Sequence, residues 1–353
     1  MQLQHRRIDL ALRHHWAIAT DLGRGGGKSV YPVVLADLRD GHGRHGVGEA
    51  SPSSQYGESH ETVARFLAMV DPARLSFDDL PGSLAYVESV APGHYPAKCA
   101  LDIALLDGAA RAAHKPLCEF LGLGPFAEEH HLSSFTLGID TPAKMAAKTI
   151  EAAPYPVLKL KLGSPSDREN VDAVRAAAGG RRLRVDANAA WTSKEDALRN
   201  IEWLASLGDV EFVEQPMPPS LPTPDWAWLK ARSPLPLFGD ELYQDAADAS
   251  RCAECVHGVN VKLVKTGGVT RGKQALEAAR SQGLQTMLGC MIESSVLISA
   301  AAHLAALTDH LDLDGNVLIT NDPYEGVLNR GGCLSFDGVA EASGLRVRPR
   351  RVR

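Results

Sequence analysis

The chain has 353 residues, 44% of them hydrophobic and 23% charged, ordinary globular values that exclude a disordered, collagenous or coiled-coil protein. Its net charge of −6, from 37 Lys+Arg against 43 Asp+Glu, gives no basic excess for nucleic acid, and the arginines between 346 and 353 form too short a stretch to change that. No signal-peptide pattern opens the sequence and no run reaches the ~18 apolar residues of a membrane span, so a cytoplasmic protein without a membrane partner is expected. The six cysteines lack a second close pair to match Cys252 and Cys255, which argues for reduced thiols over a zinc site.

Alternation of polar and apolar residues predicts strands over residues 6–20 and 29–38, with a Gly-rich turn between them and a turn at Asp40-Gly41 leading into Gly46–Ala50. From about residue 58 to 122 the pattern is helical: Cys99, Ile103, Leu106 and Ala110 fall on one helix face. An α+β module over residues 1–128 is therefore expected. The stretch Gly23-Arg-Gly-Gly-Gly-Lys28-Ser29 looks like a phosphate loop, but position 22 is Leu and a strand pattern follows instead of a helix, which argues against nucleotide binding.

Beyond residue 128 the rhythm changes. Strand candidates begin near Ser133, Val157, Leu183, Val210, Leu235, Val259, Gln285 and Leu311, a repeat of about 25 residues, with helix patterns over 166–178, 193–207 and 270–282. Strand plus helix at this period predicts a (β/α)-barrel domain over residues 129–321, with the segment 322–353 expected to pack back on the first module. A barrel carries its chemistry at the C-terminal ends of its strands.

In Val157–Gly163, alternation puts Lys159 and Lys161 on one face. The next three strands end at Asp186 with Asn188 beyond it, at Glu214, and at Asp240 followed by Glu241, the three acids being spaced by 28 and 26 residues. One barrel step per carboxylate brings all three to one rim, where they repel unless a cation sits among them; all-oxygen ligands suit Mg²⁺. The sixth strand carries Lys262, in phase with Asn260, while Lys265 lies in the turn before Gly267-Gly268. Glu293 follows the seventh strand, and Asp312 and Asp314 share a face at the eighth.

The ordered set KLK, DAN, VEQP, GDE, KLVKTGG, IESS and DLD resembles the muconate-lactonizing subgroup of the enolase superfamily, and the DLD resembles the dipeptide epimerases of the L-Ala-D/L-Glu type. The resemblance covers nearly the whole chain, since Ala97–Asp102 with Asp107 is similar to the helical signature of that family's capping domain. It implies an enolase-type (β/α)-barrel with an N-terminal α+β capping domain. It also implies that Asp186, Glu214 and Asp240 hold Mg²⁺, that Lys161 and Lys262 are paired acid/base groups, and that Asp312 and Asp314 receive the ammonium group of a dipeptide. Lys159, Lys265, Asn188, Glu241 and Glu293 take supporting places; Thr136, Met291 and Arg24 fall with the substrate contacts, Arg24 where an arginine can meet a side-chain carboxylate. Side-chain preference is expected from loops 20–29 and 50–57 and from around Met291 and Asn316.

The chemistry fits that implication. Removing a proton α to a carboxylate creates an ene-diolate, and a positioned base contributes only about 10²- to 10⁴-fold. A Lys or His base with Mg²⁺ on the ene-diolate is the general enolase-superfamily arrangement. A lysine on each face of the α-carbon permits removal on one side and delivery on the other, which inverts the centre. The same lysines serve o-succinylbenzoate synthesis, N-acylamino acid racemisation or muconate cycloisomerisation, whose substrates carry no free ammonium group for Asp312 and Asp314. A non-catalytic metal-binding barrel is the remaining alternative. The sequence fixes neither the dipeptide nor whether the chain forms a homo-oligomer.

Overall fold

The computed structural model describes residues 1–22 and 26–350. Three antiparallel strands open the chain: β1 (Gln2–Trp16), β2 (Lys28–Arg39) and β3 (His45–Ala50), in the order β1-β2-β3. The first strand lies further towards the N-terminus than the alternation to residue 20 predicts. The Asp21 side chain accepts a hydrogen bond from Ile18 N (3.2 Å) and turns Ala19–Leu22 into a helical turn, which ends the extended run.

Helices α1 (His60–Met69), α2 (Leu80–Val90) and α3 (Tyr95–Ala112) cover one face of this sheet. α3 is buried along most of its length, and β3 approaches it closely because Gly46 and Gly48 have no side chains. A Cβ at Gly46 would stand 2.0 Å from Ala104 O, and one at Gly48 1.9 Å from Ala100 O. Glycine is required there for backbone approach.

Eight strands then build a parallel barrel: β4 (Phe135–Leu137), β5 (Val157–Lys161), β6 (Arg182–Asp186), β7 (Val210–Glu214), β8 (Leu237–Gly239), β9 (Gly258–Lys262), β10 (Gln285–Gly289) and β11 (His310–Asp312). A parallel bridge between Ser133 and Leu311 joins the two ends of the sheet. The crossover helices are α4 (Pro142–Glu151), α5 (Asp167–Ala178), α6 (Lys194–Ser206), α7 (Thr223–Lys230), α8 (Ala249–Cys255), α9 (Val269–Ser281) and α10 (Ser295–Ala302). Their apolar stripes pack against Val and Leu side chains of the strands to form the main core. The fold is thus the enolase-type (β/α)-barrel with an N-terminal α+β module. No described helix is long and apolar enough to cross a membrane.

Buried carboxylates tie the modules together. Asp102 on α3 accepts from Val269 N (2.6 Å) and Thr270 N (3.2 Å), capping the start of α9 across the interface. Asp107, one and a half turns further along α3, accepts from Val47 N (3.0 Å) and Leu345 N (2.8 Å), joining β3 to the C-terminal segment. Arg111 adds a bond to Val347 O (2.9 Å). Glu49 on β3 accepts from Ser294 N (2.9 Å) and from the Ser294 hydroxyl at the start of α10. These contacts hold the end of the antiparallel sheet over the rim of the barrel.

Candidate active site

Strand register assembles the site. Lys161 pairs with Asp186 and Asp186 with Glu214 across β5, β6 and β7, while Lys262 and Asp312 both pair with Gly289 across β9, β10 and β11. Asp240 lies just past the end of β8, the strand that pairs Phe238 with Glu214. One oxygen each from Asp186, Glu214 and Asp240 lies within 4.8 Å of the others, and all three side chains are buried.

Burial would raise every one of these carboxyls, and the lysines decide which remain charged. Lys161 Nζ lies 2.6 Å from Asp186 Oδ2, and with Lys159 it holds Asp186 below the usual carboxylate range. Lys262 Nζ donates to Asp240 Oδ2 at 2.9 Å, and with Lys265 it pulls Asp240 well below that range. Glu214 is raised by burial and by the Asp186 charge, which together outweigh Lys159. Asn260 Nδ2 donates to Glu214 Oε1 at 2.7 Å. Glu214 Oε2 and the buried Asn188 Oδ1 accept no hydrogen bond. Three converging carboxylates with free oxygen capacity fit a hard divalent cation.

The four lysines divide into two kinds. Lys161 and Lys262 line a cleft of about 840 Å³ that opens to solvent, and Asn188, Asp240, Glu241, Asp312 and Asp314 line it with them. Lys159 and Lys265 stand behind its wall. Lys265 donates to Asp240 O (2.6 Å), Tyr243 O (3.1 Å) and Asn260 O (3.2 Å) and pairs with Asp240 Oδ1, so its ammonium is fully engaged. Burial works against charge on Lys262, yet Asp240 outweighs it and holds the ammonium well above the usual lysine value.

The two aspartates of β11 and its end differ. Asp312 Oδ1 accepts from Ser134 Oγ (2.7 Å) and Thr136 Oγ1 (3.3 Å), and its Oδ2 from Lys159 Nζ (2.7 Å). Against burial, Lys159 and Lys161 hold Asp312 down to about 2. Asp314 Oδ2 accepts from Thr136 N (2.6 Å), and burial followed by the Asp312 charge pushes its carboxyl up to about 7. Thr136 and Met291 both line the cleft.

Glu293 does not line the cleft. It accepts from Met291 N (2.9 Å), which shapes the loop after β10, and burial pushes it up to about 8. Glu241 does line it, is raised to about 7 by burial and then by Asp240, and accepts from Gln55 Nε2 (2.8 Å) of the capping module. Asn316 is directed elsewhere, donating to Ser295 Oγ (3.3 Å) and Val327 O (3.4 Å), outside the cleft. Arg24 lies outside the described residues.

Sequence reasoning passed over several participants. Gln215 follows Glu214 with φ 39°, and its Oε1 accepts from Asp240 N (2.9 Å) and Leu242 N (3.1 Å), fixing the turn that presents the third acid. Asn188 and Ala189 also have positive φ, of 44° and 62°, so backbone strain gathers just beyond the acids. Ser134, two residues before Thr136 and just ahead of β4, was available as a signal. Trp16, Lys28, Tyr31 and Gln55 also line the cleft, and nothing in local patterning marks them.

Residues 24–122 match the family described as mandelate racemase / muconate lactonizing enzyme, N-terminal domain, and residues 142–343 match enolase C-terminal domain-like. An L-Ala-D/L-amino acid epimerase from Pedosphaera parvula is 52% identical over 348 residues, covering 99% of each chain. The solved substrate-liganded L-Ala-D/L-Glu epimerase of Bacillus subtilis shares the fold with a TM-score of 0.90 at 24% identity, over 100% of this chain and 99% of that one. The dipeptide epimerase of Enterococcus faecalis, solved with Mg and L-Leu-L-Tyr, has a TM-score of 0.86 at 29% identity over 98% of both chains. From its antiparallel cap to its acid-rimmed barrel, the chain belongs to the mandelate racemase / muconate lactonizing enzyme family of the enolase superfamily.

Proposed function

We propose that the chain is a Mg²⁺-dependent dipeptide epimerase that inverts the α-carbon of the C-terminal residue, with L-Ala-D/L-Glu-like dipeptides as its substrates. The observation that carries this reading is one cleft lined by Lys161, Lys262, Asp240 and the Asp312–Asp314 pair, with carboxylate oxygens of Asp186 and Glu214 within 4.8 Å of one from Asp240. The name of the 52% identical relative, an L-Ala-D/L-amino acid epimerase, supports it. The division is read as a capping domain over 1–128 and a catalytic barrel over 129–321, with 322–353 returning to the cap. The protein is read as cytoplasmic.

Asp186, Glu214 and Asp240 would hold the ion. When bound, Mg²⁺ supplies positive charge that offsets the lysines' claim on these carboxylates and the negative charge gained by the substrate carboxylate as its α-proton leaves. Lys161 and Lys262 act from opposite sides: one removes the α-proton and the other delivers one, with roles exchanged for the other epimer. Asp312 and Asp314 bind the ammonium group of the N-terminal residue, and Thr136 and Met291 border the substrate. Lys159, Lys265, Asn188, Glu241 and Glu293 hold the reacting groups in place. Arg24 is read as a contact for a substrate side-chain carboxylate.

Incubation with L-Ala-L-Glu and Mg²⁺ in D₂O tests the reading, followed by a dipeptide pool screened by mass spectrometry. Deuterium should appear at the α-carbon of the C-terminal residue. Failure of exchange with every dipeptide of a broad pool overturns the proposal.

A further inference from the structure

Lys159 is only 1% exposed, yet its ammonium touches carboxylates belonging to two different parts of the site. Its Nζ lies 2.7 Å from Asp312 Oδ2, 2.7 Å from Glu214 Oε2 and 3.3 Å from Asp186 Oδ2. The first carboxylate belongs to the ammonium-binding pair and the other two to the acid triad. The contact with Glu214 Oε2 is poorly aligned as a hydrogen bond, since that oxygen counts no donor, so charge more than geometry holds the pair. Lys159 does not line the cleft.

We infer that Lys159 is a positioning residue that serves as one shared counter-ion for Asp312 and the acid triad, so that the charge on Asp312 sets how tightly the triad binds its divalent cation. This rests on the reading of Asp186, Glu214 and Asp240 as the metal ligands. The physical argument is a competition among like charges. A cation entering the triad meets the Lys159 ammonium already against Glu214 and Asp186, and the two repel. Asp312 relieves that repulsion by holding the same ammonium on its far side. Without Asp312, Lys159 turns its whole charge on the triad and cation binding weakens. Without Lys159, the triad keeps its carboxylates, loses a competing cation, and binds more tightly.

A residue that merely supported the triad would give the opposite sign, because removing it would loosen the carboxylates and weaken binding. The two roles therefore separate on the direction of a measured affinity, without reference to turnover.

The experiment is Mg²⁺ titration by calorimetry on the full chain without substrate. Lys159→Met should tighten Mg²⁺ binding and Asp312→Asn should weaken it, each by roughly three- to tenfold, within the coupling that contacting charged residues show. In the double variant the Asp312→Asn effect should disappear, whereas a direct field of Asp312 on the ion would persist. Lys159→Gln replaces the methionine variant if that does not fold, and Lys159→Arg should restore sensitivity to Asp312→Asn. Weaker or unchanged Mg²⁺ binding in the folded Lys159 variants overturns the inference, as does an Asp312→Asn effect that survives in the double variant. Asp240→Asn is the control for the reading beneath it: unchanged Mg²⁺ affinity there overturns the metal assignment and the link with it. Weakening by Asp240→Asn with no response to Lys159 or Asp312 overturns the link alone.

Discussion

Two acid clusters at the C-terminal ends of the barrel strands solve the same electrostatic problem differently. Asp186, Glu214 and Asp240 come from three neighbouring strand ends and place one oxygen each within 4.8 Å of the others; lysines hold Asp186 and Asp240 low, while burial raises Glu214. Asp312 and Asp314 come from one strand end and take backbone and hydroxyl donors from Ser134 and Thr136, with Lys159 on Asp312. Three carboxylates aimed at one point make a site for a small doubly charged ion, whose field outweighs their mutual repulsion. Two carboxylates with distinct donors, one held near 2 and the other near 7, suit a single organic cation bound by directional hydrogen bonds. The number of converging strand ends therefore separates the face proposed for the metal from the face proposed for the ammonium group.

The triad should be the more damaging place to cut. Asp240→Asn removes a charge from the ion's ligands and releases Lys262 and Lys265 together; turnover should fall about a thousandfold or more, the several kcal/mol that metal stabilisation supplies. Steady-state kinetics at saturating Mg²⁺ check this, and near-normal rates in the Asp186, Glu214 and Asp240 amide variants would remove the distinction between the clusters. Lys161→Ala and Lys262→Ala come next, each stopping epimerisation by about 10²- to 10⁴-fold or more. Each variant should still wash deuterium into one epimer, and the two variants into opposite epimers, as followed by proton NMR in D₂O. Normal epimerisation by Lys262→Ala with a dead Lys265→Ala would reverse the choice between those lysines. Asp312→Asn cuts the other cluster, removing a charge-assisted contact remote from the reacting carbon; KM should rise about 10- to 100-fold, from ~1.5 to 3 kcal/mol, with a smaller fall in kcat. An unchanged KM would deny this pair the ammonium.

How far the sequence reveals these clusters depends on the range of the interactions. The barrel is legible because each strand and helix repeats locally at about 25 residues, and the convergence of three acids follows from their spacing of 28 and 26 within that period. Alternation along β9 likewise distinguishes Lys262, at the strand's last position, from Lys265 in the turn after it. Ser134 and Asp312 are 178 residues apart, and Gln55 and Glu241 186, and no local pattern reports such contacts. The capping residues that line the cleft are likewise set by how one module packs on the other. The first strand is misjudged at its end for a smaller reason: the Asp21 side chain captures Ile18 N, and a hydrogen bond three residues back overrides an alternation that continues to Thr20.

A third set of carboxylates sharpens the contrast, because Glu293 and Glu49 sit behind the cleft without the lysine contacts of the other two. Burial pushes Glu293 up to about 8 and Glu49 up to about 7, against backbone and hydroxyl donors that pull the other way. In the unfolded chain such groups titrate near ~4.3, so between that pH and about 8 the folded protein binds more protons than the unfolded one. Their contribution to stability is therefore full below the unfolded value and is lost as pH rises through 7 and 8. Glu293→Gln keeps an acceptor for Met291 N but cannot ionise, so its stability relative to the native chain should rise between pH 6 and pH 8.5 by about 1 to 2 kcal/mol. Urea unfolding of both proteins at the two pH values, without added metal, measures the difference. A constant offset would mean that Glu293 is charged throughout, and that burial without a lysine does not set these carboxylates apart from the triad.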